Sequence, residues 1–215
     1  METPKPSTQD YVVKLTKGAL GAIPFAGALL GELLEMFIIP QQQNKTQEWF
    51  AHIEQTLEEL IGKGTVSKED IFNDETFTSI FQKTLRVYIN NVEAHKKSLL
   101  QSYLKASITK PLPIDKKYIY LDIIDKLTES QLLILKDVYD NELSQDYKYQ
   151  KALEKILVDK YAEGDGNYLK LLIKGLQDYH LLSYGSVDVV IDKENQWYMV
   201  TSKIAKEFFQ FLTAE

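Results

Sequence analysis

YLKLLIKGLQDYHLLSYGSVDVVIDKENQWYMVTSKIAKEFFQFL, residues 168–212, decides the fold class. Leu169, Leu172, Leu176 and Tyr179 recur at the spacing of a helix with one buried face. That spacing predicts a helix over about residues 167–182. The period then changes. VDVVI (187–191) and WYMVT (197–201) are rich in β-branched and aromatic residues, and the polar DKENQ (192–196) lies between them. This is the pattern of a β-hairpin. SKIAKEFFQFLTAE follows as a helix expected to turn Ile204, Phe208, Phe211 and Leu212 inward.

Working back, residues 118–127 read as a short helix. Thr128-Glu129-Ser130-Gln131 has the capping-box pattern, a hydroxyl for an orphan N–H and a glutamine that reaches back three residues. It opens a helix over LLILKDVYD (132–140), and a further helix is expected over 147–161 before the turn EGDGN (163–167). The phrases LTESQLLILKDVYD, LLIKGLQDYHLLSYG, VDVVIDKENQWYMVT and AKEFFQFL, in this order, resemble the winged-helix superfamily over residues 118–215. The resemblance implies a recognition helix at 167–182 and a wing at 188–196. It leaves the function open, because winged helices bind DNA, bind proteins or only pack against neighbours.

The run TKPLPIDKK (109–117) holds two prolines and little apolar material, so a linker is expected there. Before it, QQQNKTQEWFAHIEQTLEELIGKG (41–64) places Trp49, Phe50, Ile53, Leu57, Leu60 and Ile61 on one helical stripe, ended by Gly62 and Gly64. Ser67 opens SKED, a helix-start signal, and Phe77, Ile80, Phe81, Thr84, Leu85 and Tyr88 repeat with helical spacing. The stripe continues through Val92, Leu99, Leu100, Tyr103 and Leu104. It fits one long helix to about Ser107, or two with a joint near Asn90-Asn91. The fold class expected is mainly α with one small β-hairpin. It comprises an N-terminal helical bundle (1–108), a linker (109–117) and a C-terminal winged-helix-like module (118–215).

KGALGAIPFAGALLGELLEMFIIP (17–40) is the most apolar part of the chain. It is charge-free from Gly18 to Gly31, broken near Ile23-Pro24, and expected to be helical from about Phe25 to Ile38. Its 14 uncharged residues fall short of the roughly 20 that span a bilayer, and Glu32 and Glu35 would be costly inside one. A buried bundle helix is therefore the plainer reading. The functional reading is conditional: a membrane or self-assembly helix carried by Gly18, Gly21, Phe25, Gly27, Gly31, Leu34 and Phe37, with Gly27 and Gly31 in the G-x-x-x-G spacing that lets helices approach. IPFAGALLGELLEMFIIP and the Trp-containing helix after it loosely resemble uncharacterised bacterial helical proteins associated with defence. That likeness implies an accessory role in phage defence.

Charge argues against nucleic acid. The net charge is −6, and residues 111–215 carry 13 basic against 18 acidic side chains. Arg86 is the single arginine, although arginine is the favoured bidentate reader of phosphate and guanine. The DNA contacts a winged helix would need are Lys170, Lys174 and Lys193. They are opposed by Asp178, Asp188, Asp192 and Glu194.

No chemistry is expected either. The chain has no cysteine, so disulfides, thiolate metal sites and thiol nucleophiles are excluded. His52, His95 and His180 sit in no ligand spacing. GKGTVSKED (62–70) lacks the order of a phosphate loop, and EGDGNY (163–168) lacks a calcium-loop ligand series. No catalytic residue, metal or cofactor is assigned. Tyr118, Tyr120, Tyr139, Tyr147, Tyr149, Tyr161 and Tyr168 crowd one region, and any exposed subset would favour a protein partner.

The expected function is that of a non-enzymatic bacterial helper or effector acting through a protein partner or a homo-oligomer. Its expected place is the cytoplasm, with conditional association at the inner membrane, since residues 1–15 carry no secretory signal. The alternative is a DNA-binding transcriptional regulator whose N-terminal bundle dimerises or senses a ligand.

Overall fold

The computed structural model describes residues 43–67, 71, 74–91, 93–144, 155–185 and 198–213. The elements in order are α1 (Gln43–Gly62), α2 (Glu75–Asn90), α3 (Ala94–Thr109), α4 (Ile114–Lys126), α5 (Glu129–Ser144), helical residues 155–161, α6 (Gly166–Asp178), β1 (Leu182–Gly185), β2 (Tyr198–Thr201) and α7 (Lys203–Leu212). The chain is thus mainly helical, with one small antiparallel sheet among the described residues. It divides into two compact units, one ending at Tyr118 and the other beginning at Ile119.

In the first unit α1, α2 and α3 pack against one another. Trp49, Phe50, Ile53, Leu57 and Leu60 of α1 are buried, as are Phe77, Ile80, Phe81, Thr84, Leu85 and Tyr88 of α2. Ring contacts join the helices: Trp49 lies 4.6 Å from Tyr88, and Phe50 meets Phe81 edge-on at 5.5 Å. Such pairs add about 0.5–1.5 kcal/mol each beyond area burial. The Thr84 hydroxyl is satisfied inside its own helix, donating to the Phe81 carbonyl at 2.8 Å.

The ends of these helices are chemically specified. Past α1, the Thr65 N–H donates to the Leu60 carbonyl and the Gly64 N–H to the Ile61 carbonyl, both at 2.9 Å. This is the Schellman arrangement, and Gly64 supplies its left-handed residue at φ +66°. Asp74 caps α2, accepting from the Thr76 N–H at 2.8 Å. At the far end Asn91 is extended, and both its N–H and its side-chain amide donate to the Val87 carbonyl. That break separates α2 from α3, so of the two alternatives the jointed pair holds.

Lysines complete two C-termini, where the helix dipole favours positive charge. Lys45 Nζ donates to the Ile89 carbonyl at 2.9 Å and Lys117 Nζ to the Ser107 carbonyl at 2.7 Å. Lys117 is buried, and desolvation pushes its amine below the usual lysine range against the opposing pull of Asp74. The Tyr103 hydroxyl donates to the Lys117 carbonyl at 2.8 Å. Lys117 is the last residue of the stretch 109–117 expected to be a linker. The helix expected from residue 118 starts earlier, at Ile114, for a simple cause. Pro111 and Pro113 lack an N–H, but the first helical turn has no use for one, and the Pro113 carbonyl already accepts from the Lys117 N–H. Helix α4 therefore starts at Ile114.

In the second unit the capping box forms as expected. Thr128 Oγ1 accepts from the Gln131 N–H at 3.2 Å, and Gln131 Oε1 accepts from the Thr128 N–H at 2.9 Å. Helix α5 packs on α6, β2 and α7. Strand β1 pairs with β2 antiparallel, with Leu182 opposite Thr201 and Gly185 opposite Tyr198. The Thr201 backbone N–H, on the strand β2 that α5 packs against, donates to Glu142 of α5. The Thr201 hydroxyl also donates to Glu142 (2.9 Å), and Lys206 of α7 pairs with the same carboxylate at 2.8 Å.

Helix α7 starts at Ser202, whose hydroxyl accepts from the Ala205 N–H. Ala205, Phe208, Phe209 and Phe211 are its buried residues. Ile204 and Leu212, expected inward, are only half-buried. Phe209 takes the inner position instead, stacked on Tyr139 at 4.9 Å, while Phe208 and Phe211 face Tyr120.

Two expectations at the sheet are corrected or fall outside the described residues. The helix expected over 167–182 ends at Asp178, and Leu182–Gly185 is a strand. His180 adopts φ +55° there, its N–H donates to the Gln177 carbonyl, and the Leu181 N–H donates to the Leu176 carbonyl. The reversal that Gly64 makes after α1 is made here by a histidine, so no glycine marked it in the sequence. VDVVI and DKENQ lie outside the described residues, as do Val92, Tyr147 and Tyr149. So does the whole segment 17–40. Among the described residues no helix is long and apolar enough to cross a membrane.

Candidate interaction face

Helix α6 carries the candidate site. Both its ends are fixed by the backbone. Glu163 and Gly164 turn the chain at positive φ, and Asp165 then caps the helix, accepting from the N–H groups of Asn167 (2.8 Å) and Tyr168 (3.2 Å). The reversal at His180 closes the other end. Leu169, Leu172, Ile173 and Leu176 form the inner face, buried against α5 and β1. Gly175 is the close approach to α5. A Cβ there would meet Gln131 Nε2 at 2.2 Å, and that amide donates to the Leu172 carbonyl at 3.2 Å.

The outer face is unusually apolar. Leu171 is 68% exposed, Tyr179 50% and Tyr168 47%. Tyr168 and Leu171 lie on α6 outside its buried face, and Tyr179 is the C-cap residue just beyond its last turn. Among the described residues, two of the five large exposed hydrophobic residues are on this 13-residue helix and a third, Tyr179, is its C-cap, the others being Ile119 and Ile156. Single exposed apolar side chains need no explanation, whereas several on one helix and its cap are a candidate contact surface.

The flank of this surface is polar. Lys170 is exposed, and Lys174 pairs with Asp178 at 3.1 Å, both with more than half their side-chain surface in water. At the C-terminal end Lys126 is held above the usual lysine range by its bond to Asp125, with a smaller contribution from Tyr179. Residues 119–215 hold 11 lysines and 17 carboxylates, whereas residues 1–118 hold 14 of each sign. The whole net charge of −6 therefore belongs to the second unit.

The residues singled out in the sequence are placed as follows. Lys170 and Lys174 lie on the exposed side of α6, and Lys174 is neutralised by Asp178. Lys193 lies outside the described residues, as do Gly18, Gly21, Phe25, Gly27, Gly31, Leu34 and Phe37. Tyr179, expected to face inward, is half exposed because the helix has already ended. The tyrosines do not gather at one surface among the described residues. Tyr120 and Tyr139 are core, and Tyr161 donates to Asp137 at 2.8 Å beside Lys160. Burial is the first cause that raises the Tyr161 hydroxyl above its ordinary range.

Leu171 is the residue that sequence reasoning missed. Its signal was available: it stands out of phase with Leu169, Leu172 and Leu176. His52 and His180 are exposed and well separated in the chain. No group of three histidine or acidic side chains able to hold a metal occurs among the described residues. No family model matches the chain, and neither a curated protein nor a solved structure matches it.

Proposed function

We propose that the chain is a non-enzymatic interaction protein whose winged-helix-like second unit docks protein through the outer face of α6. The observation that carries this reading is the exposure of Tyr168 and Leu171 on the helix that would otherwise read DNA, and of Tyr179 at its C-cap. Nucleic-acid binding draws most of its affinity from phosphate contacts made by clustered cations. Here the helix offers Lys170 and a neutralised Lys174 on a unit of charge −6. Aromatic side chains, in contrast, supply large contact area at low entropic cost and dominate protein interfaces.

The wider role is that of a bacterial helper or effector acting in the cytoplasm, in phage defence. The apolar segment Gly18–Ile39 is its conditional route to the inner membrane or to self-assembly. The test combines two measurements on the full chain. Random duplex DNA is titrated in about 50 mM salt, where phosphate contacts are strongest. Association with protein is then compared between wild type and Leu171→Glu. Measurable DNA affinity lost on Lys170→Ala would favour the regulator reading instead. Equal protein association by wild type and Leu171→Glu would remove α6 as the docking element. Vesicle pelleting of the full chain tests the membrane route, and failure to pellet under any trigger excludes it.

A further inference from the structure

We draw no further inference here: the strongest candidate, the buried side-chain cluster at the start of α4, where the Lys117 amine lies 2.7 Å from the carbonyl of Ser107 and the Ser107 hydroxyl has no partner, belongs to the helix-end contact already described, and nothing in the structure shows what covers the exposed Tyr168 and Leu171 of α6.

Discussion

Removing the Glu142 carboxylate should unpin β2 from α5. Glu142 keeps 12% of its side-chain surface in water and accepts from the Thr201 N–H, the Thr201 hydroxyl and the Lys206 ammonium. In Glu142→Ala the Thr201 N–H loses the acceptor that α5 provides. Thr201 is buried, so a stranded donor costs about 1–3 kcal/mol. The hydroxyl can rotate toward another acceptor and adds about half a kcal/mol, within the range for a neutral hydrogen bond. The Lys206 pair is partly exposed and adds about 0.5–1 kcal/mol. The expected total is about 2–4 kcal/mol, a fall in Tm of roughly 5–15 °C for a chain of this size. Glu142→Gln keeps one carbonyl for Thr201 and loses the charge, so it should cost only about 1 kcal/mol. Urea denaturation followed by circular dichroism measures both, at low salt and in about 0.5 M salt, where surface pairs are screened. A loss below about 1 kcal/mol for the alanine variant would refute the reasoning. A glutamine variant as damaged as the alanine one would show that the ion pair, not the strand edge, was the stabilising contact.

Four further outcomes follow from the helix ends, the Gly175 contact and the buried amine. His180→Gly should stabilise by about 0.5–1 kcal/mol, since glycine adopts positive φ freely, while Gly64→Ala should cost about 1 kcal/mol. Nothing lies within 4 Å of a Cβ at Gly64, so that cost is purely conformational, and an unchanged urea midpoint would contradict it. Gly175→Ala should forfeit the usual helical gain of about 1 kcal/mol by displacing the Gln131 amide. In a Gln131→Ala background the gain should return, and additivity within about 0.3 kcal/mol in that double-mutant cycle would disprove the contact. The Lys117 amine is depressed in the folded chain, so the unfolded chain holds more protons below the ordinary value of 10.5. Wild type should therefore gain stability relative to Lys117→Met as pH rises from the depressed value toward 10.5, and a shrinking difference would reverse the sign.

The parts of the fold legible in the sequence were those written in local chemistry. The capping box at Thr128, the glycine stop after α1 and the apolar stripe of α2 all depend on residues within a turn or two of one another. What could not be read depended on distant partners or on an unusual residue at a common position. Helix α6 was expected to run to 182 because His180 does the work glycine usually does. LSYG has no run of β-branched residues to announce a strand, and becomes one through pairing with YMVT. Helix α4 was expected after the prolines rather than directly at them, because the compensating Pro113 carbonyl bond is invisible in composition. The candidate face followed the same division. Leu171 was visible as an out-of-phase leucine, but its exposure depended on how α5 and β1 cover the opposite side of α6.

Gln131 has a consequence for how this chain can vary. In an ordinary capping box glutamate and glutamine are interchangeable, because only a side-chain oxygen is needed. Here the oxygen serves Thr128 while the amide nitrogen donates to Leu172 above a glycine that leaves it room. Glutamate has no hydrogen to donate there, and its second oxygen would face a carbonyl. Among relatives of this chain, positions 131 and 175 should therefore change together: glutamine with glycine, or a shorter residue with alanine. Such paired drift would leave a covariation signal between the start of one helix and the middle of another.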